Sequence, residues 1–217
     1  MRFPNAFRGV KKIWLAELLM LLAAVIGIIL VFVIAANGTL VGEQEIVINE
    51  AAKTPISILG IFTTVIALIA LILNLVGLIN ARGDDAGFRI ALLVTVLGII
   101  ASAVSAIWST NQVLVKWMDI AVTIFSLFAS YYVLTALANL ADQYPDAATK
   151  ALALKSRTLL EGSFCATAVF KFIINIFKIQ DGSTIYTILS IVALVLELVS
   201  YLLYLRALTK GKKMLAK

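Results

Sequence analysis

The chain has 217 residues, of which 62% are hydrophobic and 14% are charged, and its mean hydropathy is +1.05. Soluble domains carry about 25% charged residues, so the composition excludes a soluble globular domain and predicts an integral membrane protein. A net charge of +6 would suggest nucleic-acid binding in a soluble chain. In a membrane protein such charge belongs to the membrane surface, so we expect no nucleic-acid partner.

Six apolar segments are long enough to form membrane helices, since about 20 helical residues cross a hydrocarbon core of about 30 Å. The segments between them are short. We therefore predict an all-α fold, a polytopic membrane protein with six transmembrane helices in three hairpins, as one domain over residues 1–217. Thr54 and Pro55 are the expected N-cap and first residue of span 2. The six spans are approximately residues 13–36, 56–79, 88–108, 115–138, 159–178 and 184–206.

Basic residues lie mainly on one side of these spans. Lys53, Lys116 and Lys178 lie on the other side. By the positive-inside rule, both termini and the segment 139–158 are predicted to be cytoplasmic, in a plasma membrane. The 14 residues on the basic side are Arg2, Arg8, Lys11, Lys12, Arg82, Arg89, Lys150, Lys155, Arg157, Arg206, Lys210, Lys212, Lys213 and Lys217.

The residue inventory limits the chemistry. The chain has no histidine and one cysteine, Cys165, which excludes disulfides within the chain, His-ligated haem or zinc, and a histidine general base. No phosphate-binding glycine loop, metal-ligand cluster or nucleophile motif occurs. We therefore expect a protein that is not an enzyme and has no cofactor or metal.

Three segments outside the spans have a predicted role at the cytoplasmic membrane surface. Residues 1–12 combine basic and aromatic side chains, which is typical of an interfacial anchor, with partner binding as the alternative. Residues 146–157 are expected to form a short surface helix, with Asp146 and Lys150 four residues apart. The tail from Lys210 to Lys217 should attract anionic lipids. The expected partners are the lipid bilayer and these lipids, with a protein partner or a homo-oligomer left open.

Polar residues follow one face of spans 2, 3 and 4. On span 2, Asn74 lies on a face of small and polar residues, and on span 4 Asp119 lies close to the outer surface. Asp119 either reaches water at the interface or belongs to a solute pathway. Span 3 carries the most regular stripe, for which we expect helix packing, with a wet path as the alternative. Its members are Thr95, Gly98, Ser102, Ser105 and Ser109.

Spans 5 and 6 each carry one ionisable residue within the apolar segment. Lys171 lies about 4 Å outside the midpoint of span 5 and Glu197 about 3 Å inside that of span 6, at 1.5 Å per residue. Adjacent antiparallel helices would bring these charges within reach, so we predict that they face one another. The neighbouring polar residues are Ser163, Thr167, Asn175 and Lys178 on span 5, and Thr187, Ser190, Tyr201 and Tyr204 on span 6.

Two segments suggest an internal repeat. Residues 70–79 and 193–202 share five of ten residues and place Asn74 opposite Glu197. Spans 1 and 2 would then be a copy of spans 5 and 6, related about the membrane normal. This parallel repeat is a hypothesis that is based on the sequence alone.

Two functions fit these patterns. The first is a small transport or channel-type protein with a polar intramembrane site between spans 3 to 6. The alternative is a non-catalytic structural or accessory membrane subunit whose polar faces serve helix packing. The candidate pathway residues are Lys171, Glu197, Asp119, Asn74, Thr167, Asn175 and Ser190.

Overall fold

The computed structural model describes residues 2–41, 45–144, 146–176 and 184–216, with the backbone alone at 38–41, 45–48, 50, 112, 116, 171–176, 184–187 and 190. In this part of the chain, six long helices are accompanied by one two-stranded β-hairpin. The elements are α1 Pro4–Asn37, β1 Gly38–Val41, β2 Glu45–Ile48, α2 Glu50–Ala81, α3 Ala86–Ile107, α4 Gln112–Gln143, α5 Ala147–Ile176 and α6 Thr184–Leu215.

Five helices of the described chain, α1, α2, α3, α4 and α6, are long and apolar enough to cross a membrane. At most 28% of the residues in their apolar segments are buried inside the protein. Large apolar side chains such as Phe32 and Ile107 are 70% and 72% exposed. Exposed apolar surface on this scale is typical of helices that contact lipid, and these helices are compatible with an integral membrane protein. Span 5, predicted at 159–178, is not among these five helices, and its last two residues lie outside the described chain.

The chain forms two compact units, of which residues 12–76 form one. In this unit β1 and β2 pair antiparallel, with Gly38 opposite Ile48. The predicted start of span 2 at Thr54 is wrong, because α2 begins at Glu50 and Pro55 lies inside it. Asn49 supplies the cap instead, since its side-chain oxygen accepts from the Ala51 N–H at 3.2 Å. Because the helix begins four residues before Thr54, Pro55 lies in the second turn of α2.

The other unit contains residues 1–11 and 77–217, and its core lies at one end, which we call the packed end. The packed end comprises residues 2–11, 77–91, 133–161 and 200–216. Phe88, Leu134, Leu137 and Leu208 are fully buried there. Most of the large apolar residues of α3 and α6 outside this end are exposed. Packing between the helices of this unit is therefore concentrated at the end that carries most of the basic residues.

Most of the segment 1–12, for which the sequence predicts an interfacial anchor, belongs to α1 and packs against the protein. Helix α1 begins at Pro4, and Ala6 and Val10 are completely buried in the packed end. The Ala6 N–H donates to Asp84 Oδ2 at 2.6 Å, and Asn5 Nδ2 donates to Asp84 Oδ1 at 3.3 Å. Asp84 comes from the turn between α2 and α3, so a distant carboxylate caps the positive end of the α1 dipole.

Replacing Asp84 with alanine is expected to lower the free energy of unfolding by about 1 kcal/mol, the usual cost of losing an N-cap acceptor. Asp142→Ala is the matched control. Its carboxylate is 66% exposed and pairs with Lys150 at 2.7 Å, and a surface pair of this kind contributes little. Thermal unfolding in a mild detergent measures both variants. Equal losses for the two would show that Asp84 does not act as a cap.

The segment 146–157 is also corrected, because it forms the start of α5 and not a separate surface helix. The Asp146 carboxylate accepts from both the N–H and the hydroxyl of Thr149 at 3.0 Å, which is an N-cap for the whole helix. Ala153 and Ser156 are fully buried, so this part of α5 packs inside the protein. No proline or glycine follows before residue 162, and the helix therefore continues into the predicted span.

The basic C-terminal segment likewise belongs to a packed helix. Helix α6 continues to Leu215, nine residues beyond the predicted end of span 6. Met214 and Leu215 are almost completely buried. A Cβ atom added to Gly211 would lie 2.7 Å from Leu137 Cδ2 of α4. The described part of this segment is therefore the fixed last part of a helix, and an isolated tail peptide would not reproduce it.

Candidate functional site

The serine stripe of α3 faces α4 across an open cavity of about 570 Å³. Asp119 and Thr123 of α4 lie on the opposite wall. The sequence had favoured helix packing for this stripe, but three of its serines line this cavity. The lining residues are Ser102, Ser105, Ala106, Ser109, Val115, Asp119, Val122 and Thr123.

Contacts along α3 and α4 place this cavity at one end of the helix pair. Ser105 of α3 meets Asp119, whereas Gly87 lies against the backbone of Tyr132 and the side chain of Ala136. The start of one helix therefore packs on the end of the other, and the two run in opposite directions. At the Gly87 level the interface is closed, since a Cβ atom there would lie 2.8 Å from the Tyr132 carbonyl oxygen. The cavity therefore lies between the last part of α3 and the first part of α4, and the two helices are in close contact at the other end of the pair.

Three of the four hydroxyl groups that line the cavity donate their protons within the protein. Ser102 Oγ donates to the Gly98 carbonyl at 3.0 Å, and Thr123 Oγ1 donates to the Asp119 carbonyl at 2.8 Å. Ser105 Oγ makes a longer contact of 3.5 Å with Asp119 Oδ1, in which the hydroxyl is again the donor. A hydroxyl has one proton and two lone pairs. These three groups therefore offer acceptor oxygens, and the Asp119 carboxylate adds more.

Asp119 carries the one formal charge among the described lining residues. It is exposed, and no basic residue is among the lining residues whose side chains the structure describes. In the described chain, no group of three or more histidine, cysteine, aspartate or glutamate side chains is arranged to hold a metal ion. Calcium and magnesium sites generally use several oxygen ligands of high charge. A single carboxylate surrounded by hydroxyl oxygens is better suited to a monovalent cation or to a solute with N–H or O–H donors.

A second polar contact joins α5 to α6. Thr167 Oγ1 donates to Glu197 Oε1 at 3.3 Å, and Glu197 is exposed. Glu197 does not line the cavity at Asp119. The predicted pairing of Lys171 with Glu197 stays a prediction, because the Lys171 side chain lies outside the described part of the structure. The side chains of Asn175 and Ser190 also lie outside it, and Asn74 belongs to the unit of residues 12–76.

Three serines join α5 and α6 in a buried seam, of which the sequence analysis had named Ser163 alone, as part of the polar face of span 5. Ser163 and Ser200 hydrogen-bond to each other through their hydroxyl oxygens. Ser200 also donates to the Leu159 carbonyl at 3.3 Å, and Ser156 donates to the Leu203 carbonyl at 3.1 Å. All three serines are at most 7% exposed. The spacing of seven residues between Ser156 and Ser163 was the available signal, since it keeps both on one helix face.

Arg157 of α5 lies against α4 close to this seam. Its guanidinium carbon is 5.0 Å from the centre of the Tyr131 ring, and Nη1 donates to Thr135 Oγ1 at 3.4 Å. Glu161 Oε1 is 3.8 Å from its Nε. The cation is therefore held by an aromatic face and one nearby carboxylate. These contacts fix α5 to α4 at the packed end, away from the cavity lining.

Comparison with known proteins adds no functional assignment, because no family model, curated protein or solved structure matches the chain. The functional argument therefore depends on the geometry of the residues alone.

Proposed function

We propose that the protein is a small membrane transport protein in which the cavity between α3 and α4 binds a small organic or monovalent cation at Asp119. In this proposal the chain crosses a plasma membrane six times, with α5 as the span between α4 and α6. Both termini and the packed end are cytoplasmic, as the excess of basic residues favours. The Asp119 cavity then faces the outside.

The observation that carries the proposal is the chemical character of the cavity. Three hydroxyl protons are donated to protein oxygens, and the Asp119 carboxylate completes a wall of acceptors. A volume of about 570 Å³ lies within the usual range of about 300 to 1,000 Å³ for ligand pockets. Val115, Val122 and Ala106 supply apolar walls that suit the alkyl part of an organic cation.

The close packing of α3 and α4 at the packed end favours transport over an open channel. Phe88, Ala91 and Leu134 are fully buried at the other end of the α3–α4 pair. A solute at Asp119 is then accessible from one side, and release on the other side requires a change in helix packing. Glu197 with Thr167, and Lys171, Asn175 and Ser190, are proposed as later positions on the pathway.

The test uses the full-length protein in detergent, with thermal unfolding measured against increasing concentrations of choline, ethanolammonium and potassium. Glucose and acetate serve as neutral and anionic probes. We expect at least one cation to raise the unfolding temperature, and Asp119→Asn to weaken its binding by about 10- to 100-fold, as for loss of a hydrogen bond to a charged group. Uptake of the same cation into proteoliposomes should fall in parallel.

Two variants make the result specific. Asp142→Asn removes the same charge at the packed end and should leave cation binding unchanged. Ala106→Leu keeps every charge but fills part of the cavity, and should weaken the binding of an organic cation more than that of potassium. Equal stabilisation of the wild type and Asp119→Asn would contradict the site. Binding without uptake would retain the site but contradict transport.

The second candidate function is a structural or accessory membrane subunit. The buried hydroxyl seam between α5 and α6 favours it, because there the polar residues serve packing and are not exposed to a cavity. This reading replaces the first if none of the probes stabilises the wild-type protein.

A further inference from the structure

Exposed aromatic and apolar residues are the sequence neighbours of the residues that line the Asp119 cavity. Trp108 directly follows α3, and Trp117 precedes Asp119 by two residues on α4; the two tryptophans are 50% and 64% exposed. Ile107, the last residue of α3, and Val113, the second residue of α4, are exposed as well. Apolar exposure of this extent beside a polar cavity is suited to contact with lipid.

The two tryptophans indicate the depth of the cavity in the membrane. Tryptophan is enriched at the membrane–water interface, because its amphipathic ring suits the headgroup layer. At 1.5 Å per residue, Asp119 lies about 3 Å from Trp117 along α4, and Ser105 lies about 4 to 5 Å from Trp108 along α3. The cavity therefore lies at the inner edge of the headgroup layer, a depth that the ammonium groups of phospholipids can reach.

The Asp119 carboxylate has no basic partner among the described side chains. Ser105 Oγ contacts Oδ1 at 3.5 Å, and in this part of the chain no hydrogen bond or ion pair reaches Oδ2. The attraction between opposite charges is stronger at the edge of a membrane than in bulk water, because the dielectric constant is lower there. The carboxylate is therefore suited to bind a cation from outside the chain.

The hydroxyl groups of the cavity distinguish between two kinds of ammonium group. Ser102, Ser105 and Thr123 donate their protons to protein oxygens, and their lone pairs are available to an external donor. A primary ammonium group carries three N–H donors, whereas a trimethylammonium group carries none. The acceptor oxygens of the cavity therefore match a primary ammonium group.

From these observations we propose that the cation bound at Asp119 is the primary ammonium group of a membrane phospholipid, as in phosphatidylethanolamine. The inference rests on the proposed cation site and names its ligand. The headgroup enters the cavity, and the acyl chains lie along the exposed apolar residues of α3 and α4. Those residues include Leu93, Leu97 and Ile100 on α3 and Ile120 on α4.

The experiment adds phosphatidylethanolamine to the detergent-purified full-length protein and measures bound lipid by native mass spectrometry. Phosphatidylcholine with the same acyl chains is the comparison, since it differs in the ammonium group alone. We expect phosphatidylethanolamine to bind about 10-fold more tightly to the wild type, as for one hydrogen bond that involves a charged group. Asp119→Asn should bind phosphatidylethanolamine about 10- to 100-fold more weakly than the wild type.

Two further variants make the result specific to the cavity. Asp142→Asn removes an exposed carboxylate at the packed end and should retain the wild-type affinity. Thr123→Val keeps the charge and the side-chain shape but removes one acceptor oxygen, and should reduce the preference for phosphatidylethanolamine about fivefold. Unfolding temperatures without lipid show whether each variant is folded. Equal binding of phosphatidylethanolamine by the folded wild type and Asp119→Asn would contradict the proposal, because lipid would then cover the helices without a defined site.

A parallel titration with free ethanolammonium separates this inference from the proposed function. Stabilisation by free ethanolammonium that depends on Asp119, without preferential binding of phosphatidylethanolamine, would contradict the lipid ligand but retain the cation site. If neither free cations nor the lipid bind in a way that depends on Asp119, both proposals are contradicted. Binding of phosphatidylethanolamine that depends on Asp119 and is reduced by free ethanolammonium supports the lipid as the ligand.

Discussion

Replacing Gly9 with alanine is expected to lower the free energy of unfolding by about 1 to 3 kcal/mol, the typical cost of overpacking a well-packed core. The added Cβ atom would lie 2.6 Å from Ala81 Cβ and 2.8 Å from the Ala81 nitrogen, and closer still to the Gly77 carbonyl oxygen. Two of these atoms belong to the backbone of α2, which cannot move aside as a side chain can. The first turns of α1 would have to shift away from the packed end.

A decrease in stability on replacing Gly9 with alanine would be informative, because the opposite change is expected at an unpacked helix position. Alanine is favoured over glycine in a helix by about 1 kcal/mol, so a glycine-to-alanine change on α1 should stabilise wherever there is space. Gly27 on the same helix and Gly60 on α2 have nothing within 4 Å of an added Cβ atom. Gly27→Ala and Gly60→Ala are therefore expected to be neutral or slightly stabilising.

A fourth variant should have an intermediate effect on stability. Gly211→Ala brings the new methyl group against the end of the Leu137 side chain, which can rotate, so its cost should fall between that of Gly9→Ala and those of the controls. Thermal unfolding in detergent measures all four variants. If Gly9→Ala is as stable as Gly27→Ala, then α1 does not pack closely on α2 at this position.

The helices themselves were largely predictable from the sequence, because long apolar segments leave few alternatives in a membrane. Their ends were not. The length of the apolar segment predicts that span 6 ends near Arg206. Gly211 and Met214, however, pack against the rest of the protein, and the helix continues to Leu215. The start of α5 was missed for the same reason, since tertiary contacts bury residues that hydropathy alone assigns to the surface.

Close contacts between helices were the least predictable feature. Ala23 and Gly27 have the spacing of a packing motif, but an added Cβ at Gly27 would meet nothing, whereas Gly9 packs against backbone. The spacing of small residues shows where helices can approach, and the partner helix decides whether they do. Likewise, Asp84 gave no sign that it caps α1, because its hydrogen bond to Ala6 spans 78 residues.

The candidate site was predictable in part. Asp119 and the serine stripe of α3 were both found from the sequence, and the structure brings them together at one cavity. The residue types alone did not show to which atoms the hydroxyl groups donate. Ser102 and Thr123 donate to carbonyl oxygens of their own helices, and these bonds require the helical backbone to be formed. That direction is the basis of the proposed preference of the cavity for cations and hydrogen-bond donors.

Replacing Ser200 with leucine is expected to lower the free energy of unfolding by about 1 to 3 kcal/mol, because the larger side chain overpacks the seam between α5 and α6. Ser200 is 4% exposed, and its hydroxyl oxygen contacts Ser163 and the Leu159 carbonyl. Leucine would place a branched apolar group against these oxygens. The two helices could accept it only by separating along the seam.

Two control variants distinguish the effect of added side-chain volume from the effect of lost hydrogen bonds. Ser200→Ala removes the hydroxyl without adding volume, and should cost about 0.6 kcal/mol, the average for a hydrogen bond between membrane helices. Ala168→Leu adds comparable bulk to an exposed position of α5 and should be close to neutral in detergent or lipid. Similar unfolding temperatures for Ser200→Leu and Ala168→Leu would show that the seam is loosely packed.

The same Ser200→Leu variant also tests whether the seam is coupled to the Asp119 cavity. Choline binding that is unchanged in a destabilised variant would show that the two regions are energetically independent, as expected for sites with no shared contacts. The seam would then be a fixed part of the bundle, and the helix movements of the proposed transport would have to take place between α3 and α4. Weaker binding would instead place the α5–α6 interface among the parts that move.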